Sequence, residues 1–226
     1  MYFDTYYLVL VVPTILLSLW AQFKVKSTFA KYSRISCGRG ITGAAAARLL
    51  MDANDIVNVA IEPVAGSLTD HYDPGHRVLR LSQPVYSVSS ISAVGVAAHE
   101  TGHAIQHARG YGPLALRSTL VPVANIGSSM GPWLAVAGLA MSFQPLLTLG
   151  IVLFAAAVAF YLITLPVEFN ASSRALAILA QNHVLSDEEL RGVRKVLSAA
   201  AMTYVASALT ALMSLLRLVL LSRRRR

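Results

Sequence analysis

Charge is what this sequence lacks most. Asp, Glu, Lys and Arg make up only 13% of its 226 residues, about half the share found in soluble domains. Hydrophobic residues reach 55%, and mean hydropathy is +0.58. The apolar residues come in long blocks, which argues against a soluble domain and for an integral membrane protein. Acid is the scarcer sign: 11 Asp and Glu stand against 19 Lys and Arg, a net charge of +8. The basic residues flank apolar blocks and show no interleaved aromatic pattern. Membrane topology explains them, and nucleic acid is not an expected partner. Cysteine is nearly absent. The single Cys37 cannot form an internal disulfide and supports neither redox chemistry nor a Cys-rich metal site. No positive stretch precedes the first apolar block and no small-x-small cleavage site follows it, so the block reads as a span rather than a signal peptide. Sequence repeats and long flexible linkers are also missing.

What is present falls into alternating segments. Residues 1–23 hold the first expected span, apolar from Tyr6 to Phe23. Lys24, Lys26, Lys31, Arg34 and Arg39 follow, with no acid before Asp52. The positive-inside rule places them in the cytoplasm. Residues 24–118 form a cytoplasmic part. It opens with a helix over Thr42 to Asp55, Thr42 serving as N-cap and Ile41, Ala45, Leu49 and Met51 as the apolar stripe. Between 57 and 82 the period changes to that of strands. Val57, Val59 and Ile61 alternate, Val78 to Leu81 reads as a second strand, and Asp73-Pro74-Gly75 is a turn. A short β-hairpin or small sheet is expected there. The polar run Leu68 to Pro74 reads first as turn chemistry, with Asp73 capping the bend.

Further spans are expected at 119–143 and 146–167, broken by Gln144-Pro145. Residues 168–198 are polar again. One helix is expected to open at Glu168 and stop near Asn182-His183. Another starts from the capping box Ser186-Asp187-Glu188-Glu189. Residues 199–226 form a last apolar helix, interrupted by Arg217 and ending in Arg223-Arg224-Arg225-Arg226. A fourth crossing would carry this tail outside, against the positive-inside bias. The helix is therefore either transmembrane, or interfacial and packed on the cytoplasmic part.

The chemistry concentrates in His99-Glu100-Thr101-Gly102-His103, an H-E-x-x-H pattern. Ser89 or Ser90 can cap a helix that runs through it to a stop at Gly110. Residues four apart share a helical face, so His99 and His103 can aim both imidazoles at one Zn²⁺. Glu100 leaves the helix at another angle and can act on water as general base. The small and branched residues around the motif mark a tightly packed helix, where two His and a Glu need satisfying partners. Catalytic zinc takes three protein ligands and keeps one position open. His107, Glu168, His71, His76 and His183 are the candidates for the third. Three ligands down one straight helix would splay over about 12 Å, so His107 is better read as a supporting or core histidine. His183 sits at a helix end, where the dipole suits it. Glu168 is the stronger choice. It is a lone carboxylate where the third span meets the cytoplasm, on the same membrane face as the motif.

Several stretches carry a resemblance: Trp20 to Lys26, Leu68 to Pro74, Ala98 to His107, Leu116 to Ser118, Val121 to Asn125, Leu165 to Ser172, and Thr203 to Ala206. Through them nearly the whole chain resembles the putative neutral zinc metallopeptidases of bacterial membranes, the YugP-like family. More distantly it is similar to HtpX-type and CAAX-prenyl membrane proteases. Those also place two spans between H-E-x-x-H and a downstream Glu, in a Glu-x-x-x-Asp pattern. Here Ser172 stands where their acid is, which leaves Asn170 or Asp70 as expected supporting groups. The resemblance implies a gluzincin-like zinc peptidase of the bacterial inner membrane. The expected fold is a mainly α membrane protein, with three to four long apolar helices and a small zincin-like α+β cytoplasmic domain. The expected function is a zinc-dependent endopeptidase. His99, His103 and Glu168 bind Zn²⁺, Glu100 is the general base for a zinc-activated water, and Tyr204 or His71 is a candidate oxyanion donor. The strand around Val78 to Leu81 could take an extended peptide by strand addition. Expected partners are peptide or membrane-protein substrates and the bilayer, and a homo-oligomer is compatible with the sequence. The alternatives are a membrane scaffold that uses zinc structurally, with His107 or His71 as a fourth ligand, and a small transporter.

Overall fold

A computed structural model describes residues 4–224. Met1 to Phe3 of the first expected span, and Arg225 and Arg226 of the basic tail, lie outside the described residues. A π-helical stretch, Tyr7–Val11, runs into α1 (Val12–Tyr32). Then come α2 (Gly43–Asp52), β1 (Ala60–Val64), β2 (His71–Asp73), β3 (Val78–Ser82) and the single turn α3 (Gln83–Tyr86). The chain ends with α4 (Ile91–Ala108), α5 (Gly112–Ala140), α6 (Gln144–Gln181) and α7 (Asp187–Arg224). Among the described residues, four helices are long and apolar enough to cross a membrane: Tyr7–Tyr32, Gly112–Ala140, Gln144–Gln181 and Asp187–Arg223. The molecule is a mainly α membrane protein with a small three-stranded sheet.

Two helices are longer than expected. α6 does not reopen at Glu168 but passes through it unbroken, and α7 joins the expected 186–197 helix to the last apolar stretch. The reason is physical. Moving from lipid to protein surroundings changes which side chains suit a helix, not its backbone bonding. α6 holds Pro166 just before Glu168 and continues through it, and no glycine or proline follows Gly192 in the described part of α7.

The chain divides into two compact units. The first comprises Met1–Gln22, Pro113–Pro166 and Met202–Arg226. Its core gathers Ala135 of α5, Leu147, Phe154, Ala157 and Val158 of α6, and Ala211 and Leu218 of α7. The α5–α6 backbones meet closely. A Cβ on Gly150 would stand 2.3 Å from the Ala135 N atom, the small-residue contact that apolar solvent favours. Polar links join the first and last helices. Ser18 Oγ lies 3.2 Å from Thr210 Oγ1, and the Thr210 hydroxyl also approaches the Thr14 carbonyl. The Arg217 Nε–H donates to Asp4 Oδ2 at 3.0 Å. Early residues of one helix thus meet late residues of the other, so α7 runs antiparallel to α1 beside it. Leu16 and Trp133 point outward, Trp133 being 69% exposed, as lipid-facing residues do.

The second unit comprises Phe23–Gly112 and Val167–Ala201. Thr42 caps α2 by accepting from Ala45 N. The buried face of α2 is Ala46, Ala47, Leu50 and Met51, while Ala45 of the expected stripe is exposed. The sheet order is β1-β3-β2. The two expected strands do not form a hairpin with each other; the hairpin across the Asp73-Pro74-Gly75 turn is β2–β3, antiparallel with Tyr72 opposite Leu79, and β2 lies in the run expected to be turn. β1 adds to the other side of β3 in parallel, with Ile61 opposite Leu79. Val57 precedes β1 and is exposed. The bend is tied as expected: Asp73 Oδ1 accepts from Gly75 N and His76 N, and Asp73 Oδ2 accepts from Arg80 Nη1. These bonds, the His76 contacts first, hold the Asp73 carboxyl well below its usual range. β3 is paired along both edges, so it cannot add a peptide strand; that expectation is corrected to the outer strands. α4 is capped by Ser90, which accepts from Ala93 N. Gly110, at φ +62, turns the chain away after it. At the start of α7, Ser186 and Glu189 form the reciprocal capping box. Glu189 also accepts from Gly38 N at 2.6 Å.

Candidate metal centre

The site forms where α4 meets the Glu168 turn of α6. Gly102 makes this approach possible. A Cβ there would stand 2.6 Å from the Ala171 carbonyl oxygen, closer than any side chain is accommodated. With glycine in that place, His99 and His103 on α4 reach Glu168, one turn before Ala171. Glu168 Oε2 lies 3.2 Å from His99 Nε2 and 3.6 Å from His103 Nε2. One ligand atom from each of the three residues falls within 4.8 Å of the other two. Bonds of about 2.0–2.1 Å to tetrahedral zinc put neighbouring ligand atoms roughly 3.3 Å apart. The observed spacings fit that geometry.

The remaining ring nitrogens are also engaged. His99 Nδ1 lies 3.1 Å from Ser172 Oγ, and His103 Nδ1 lies 3.0 Å from Gln106 Oε1. Both Nε2 atoms are thereby left facing the carboxylate, the arrangement in which histidines bind metal while a neighbour orients the ring. Glu168 is 2% exposed. A carboxylate so deep among imidazoles suits a divalent cation, and the donor set of two imidazoles and one carboxylate is one that zinc takes. Burial works to lower the His103 pKa, but the Glu168 carboxylate, with Glu100 near it, outweighs burial and holds it above the ordinary histidine range. Glu100 is buried on the same helix.

The other expected site residues lie as follows. His107 meets Tyr72 of β2, with the Tyr72 hydroxyl 2.8 Å from His107 Nδ1. His71 is exposed, with Nδ1 2.8 Å from the Thr69 carbonyl. His76 pairs with Asp73 at 2.7 Å. His183 follows α6 with φ +48, a helix-stop position. Asp70 accepts from Ser82 N at 2.7 Å and from Ser82 Oγ at 3.0 Å, binding the loop after β1 to the end of β3. Burial pushes its pKa up, against the lowering effect of those Ser82 bonds. Tyr204 belongs to the first unit. Ser172 itself contacts His99, its Oγ 3.1 Å from Nδ1. Asn170 accepts from Gln106 Nε2 at 2.9 Å. Sequence reasoning missed Gln106. Its signal was a polar residue three positions after a metal-ligand candidate, on the same helical face.

Comparison with known proteins points to a zinc-dependent family. Residues 7–223 match the family model described as "Putative neutral zinc metallopeptidase". The chain is 53% identical over 215 residues to the "Putative membrane protease YugP" of Bacillus subtilis (strain 168), covering 95% of this chain and 96% of that protein. No solved structure matches. With the family model covering nearly its whole length, the chain belongs to the putative neutral zinc metallopeptidases.

Proposed function

We propose that this protein is a gluzincin-like endopeptidase that cleaves peptide bonds at the cytoplasmic face of the bacterial inner membrane. The observation that carries the reading is the convergence of His99, His103 and Glu168 with both Nδ1 atoms engaged elsewhere. These three side chains would hold Zn²⁺. Bound there, the ion would supply Lewis acidity toward a water and the substrate carbonyl. The rest of the work falls to this chain's residues. Glu100 would take the proton of the attacking water on its carboxylate and pass it to the leaving amide nitrogen. Ser172 and Gln106 would keep the two imidazoles aimed. Tyr204 and His71 stay candidates for the oxyanion donor.

The cytoplasmic address is supported by charge: 14 of the 19 Lys and Arg fall between residues 24 and 195. Substrate would enter as an extended segment. Tyr72 links β2 to the motif helix through His107, and among the described strands β2 pairs with β3 alone. The outer edge of β2 is therefore the place for strand addition. Loops beside spans and unfolded membrane proteins are the substrates this position favours.

The test uses the full chain in lipid, with a model peptide and with or without chelator. Glu100→Gln is expected to bind zinc but lose turnover by about 10²–10⁴-fold. Glu168→Ala is expected to lose zinc. Full turnover in Glu100→Gln would remove the general base, and unchanged zinc affinity in Glu168→Ala would remove the third ligand.

A further inference from the structure

Asn125 lies deep in the apolar length of α5. At 1.5 Å per residue it stands about 18 Å along the helix from Pro113, where this segment of the membrane unit begins, and about 22 Å from Ala140, where the helix ends. The side of α5 that packs within its unit carries Ala124, Gly127, Gly131, Ala135 and Gly138, all buried. Asn125 is off that seam and exposed, as are Ser129 and Trp133, which follow it at four-residue steps on one face.

The hydroxyls of this helix are satisfied by its own backbone. Ser118 and Thr119 donate to the Leu114 and Ala115 carbonyls. Ser128 and Ser129 donate to the Asn125 carbonyl at 3.3 and 2.7 Å. The Asn125 side-chain amide is left over: it meets no partner among the described residues. In water that would cost nothing. In hydrocarbon it leaves two N–H bonds and a carbonyl facing lipid chains that offer neither donor nor acceptor. The exposed residues of the α6 span, Leu149, Val152 and Leu162, are apolar by contrast, as contact with lipid requires.

We propose that this face of α5 binds the same face of a second copy of the chain, with the two Asn125 amides hydrogen-bonded to each other across a two-fold axis along the membrane normal. The occupant follows from the chemistry. An amide side chain both donates and accepts, so two of them pair reciprocally. A two-fold axis along the normal brings them to the same depth, and makes one patch its own complement. A substrate span would need a polar group of its own at that depth, which spans of differing sequence do not share. Interhelical amide bonds of this kind are a recognised source of association between membrane helices. The inference does not depend on the zinc-peptidase reading.

The test uses the full-length protein in lipid vesicles, at lipid dilutions that suppress chance encounter. In a Cys37→Ser background, Ser129→Cys is expected to cross-link to itself under mild oxidation, and Val152→Cys, exposed on α6, is not. Self-association is read by energy transfer between labelled copies as lipid is added. Asn125→Leu is expected to weaken it about 3- to 30-fold, and Asn125→Gln, which keeps the amide, to retain it. Helix content and melting of Asn125→Leu in dilute detergent are expected to match wild type, which separates lost association from lost folding. An Asn125→Leu protein that associates like wild type, an uncross-linked Ser129→Cys, or equal cross-linking of Val152→Cys each overturns the proposal. A monomeric wild type whose peptide turnover falls in Asn125→Leu overturns it too, and gives the face to a substrate span.

Discussion

Gly102→Ala is the sharpest test of how this chain builds the proposed metal centre. The added methyl would start 2.6 Å from the Ala171 carbonyl oxygen and 3.2 Å from the Ala171 C and Cα atoms. All three are backbone atoms, so no side chain can rotate away. Restoring an ordinary contact of 3.4 Å needs the two helices to part by about 0.8 Å. Metal–ligand distances tolerate about 0.2 Å. The two histidines flank Gly102 on one helix, and Glu168 precedes Ala171 by one turn on the other, so the separation falls on the ligand set. Overpacking of this kind costs about 1–3 kcal/mol. If all of it is felt at the metal, zinc binding weakens by roughly 5- to 150-fold, since about 1.4 kcal/mol is a factor of ten. The assay is zinc competition together with thermal unfolding of the metal-free protein. Gly95→Ala is the control. Its Cβ would meet Val193 Cγ1 at 2.9 Å, a side-chain atom of α7 and not the backbone of the Glu168 helix, so it should cost stability and leave zinc affinity intact. A Gly102→Ala protein with wild-type zinc affinity and wild-type melting would refute the close-approach argument.

Two further outcomes are expected. Asp70→Ala strips the acceptor from the fully buried Ser82 and should cost about 1–3 kcal/mol, whereas Asp70→Asn keeps an acceptor. Burial raises the Asp70 pKa in the folded state, so ionisation favours the unfolded chain and wild-type stability should fall, relative to Asp70→Asn, as pH rises above about 4. Melting temperatures of the two proteins across pH check the sign, and parallel curves would contradict it. In the membrane unit, Asp4→Leu takes from Arg217 its carboxylate at a partly buried position. The Asp4→Leu/Arg217→Leu double variant should melt higher in detergent than Asp4→Leu alone, because a largely buried cation that has lost its carboxylate costs more than an apolar side chain in its place. The reverse order would mean the pair contributes nothing to how α1 and α7 pack.

How much of this was legible in the sequence depends on how far the partners lie apart. Thr42, Ser90, Gly110 and the Ser186 to Glu189 box announce helix ends because each acts within four residues. The pair His99 and His103 is legible for the same reason, and Glu168 became so once its carboxylate was weighed against that pair. The parallel pairing of β1 with β3 was not legible. It joins residues 18 positions apart, such as Ile61 and Leu79, through a crossover that no local signal encodes. Nor was the continuity of α6 and α7, because a shift in hydropathy marks a change of surroundings and looks the same in sequence as a change of backbone. The supporting groups are the instructive case. Asn170 and Ser172 were visible because they follow Glu168 at two and four residues. Gln106 was hidden because its meaning lies in partners on another helix, Val167 and Asn170. Composition counts such a residue as one more polar side chain in a buried helix. Only its partners across the fold, the Val167 carbonyl and Asn170 Oδ1, which both accept from Nε2, say which way its amide faces and that its oxygen meets His103 Nδ1.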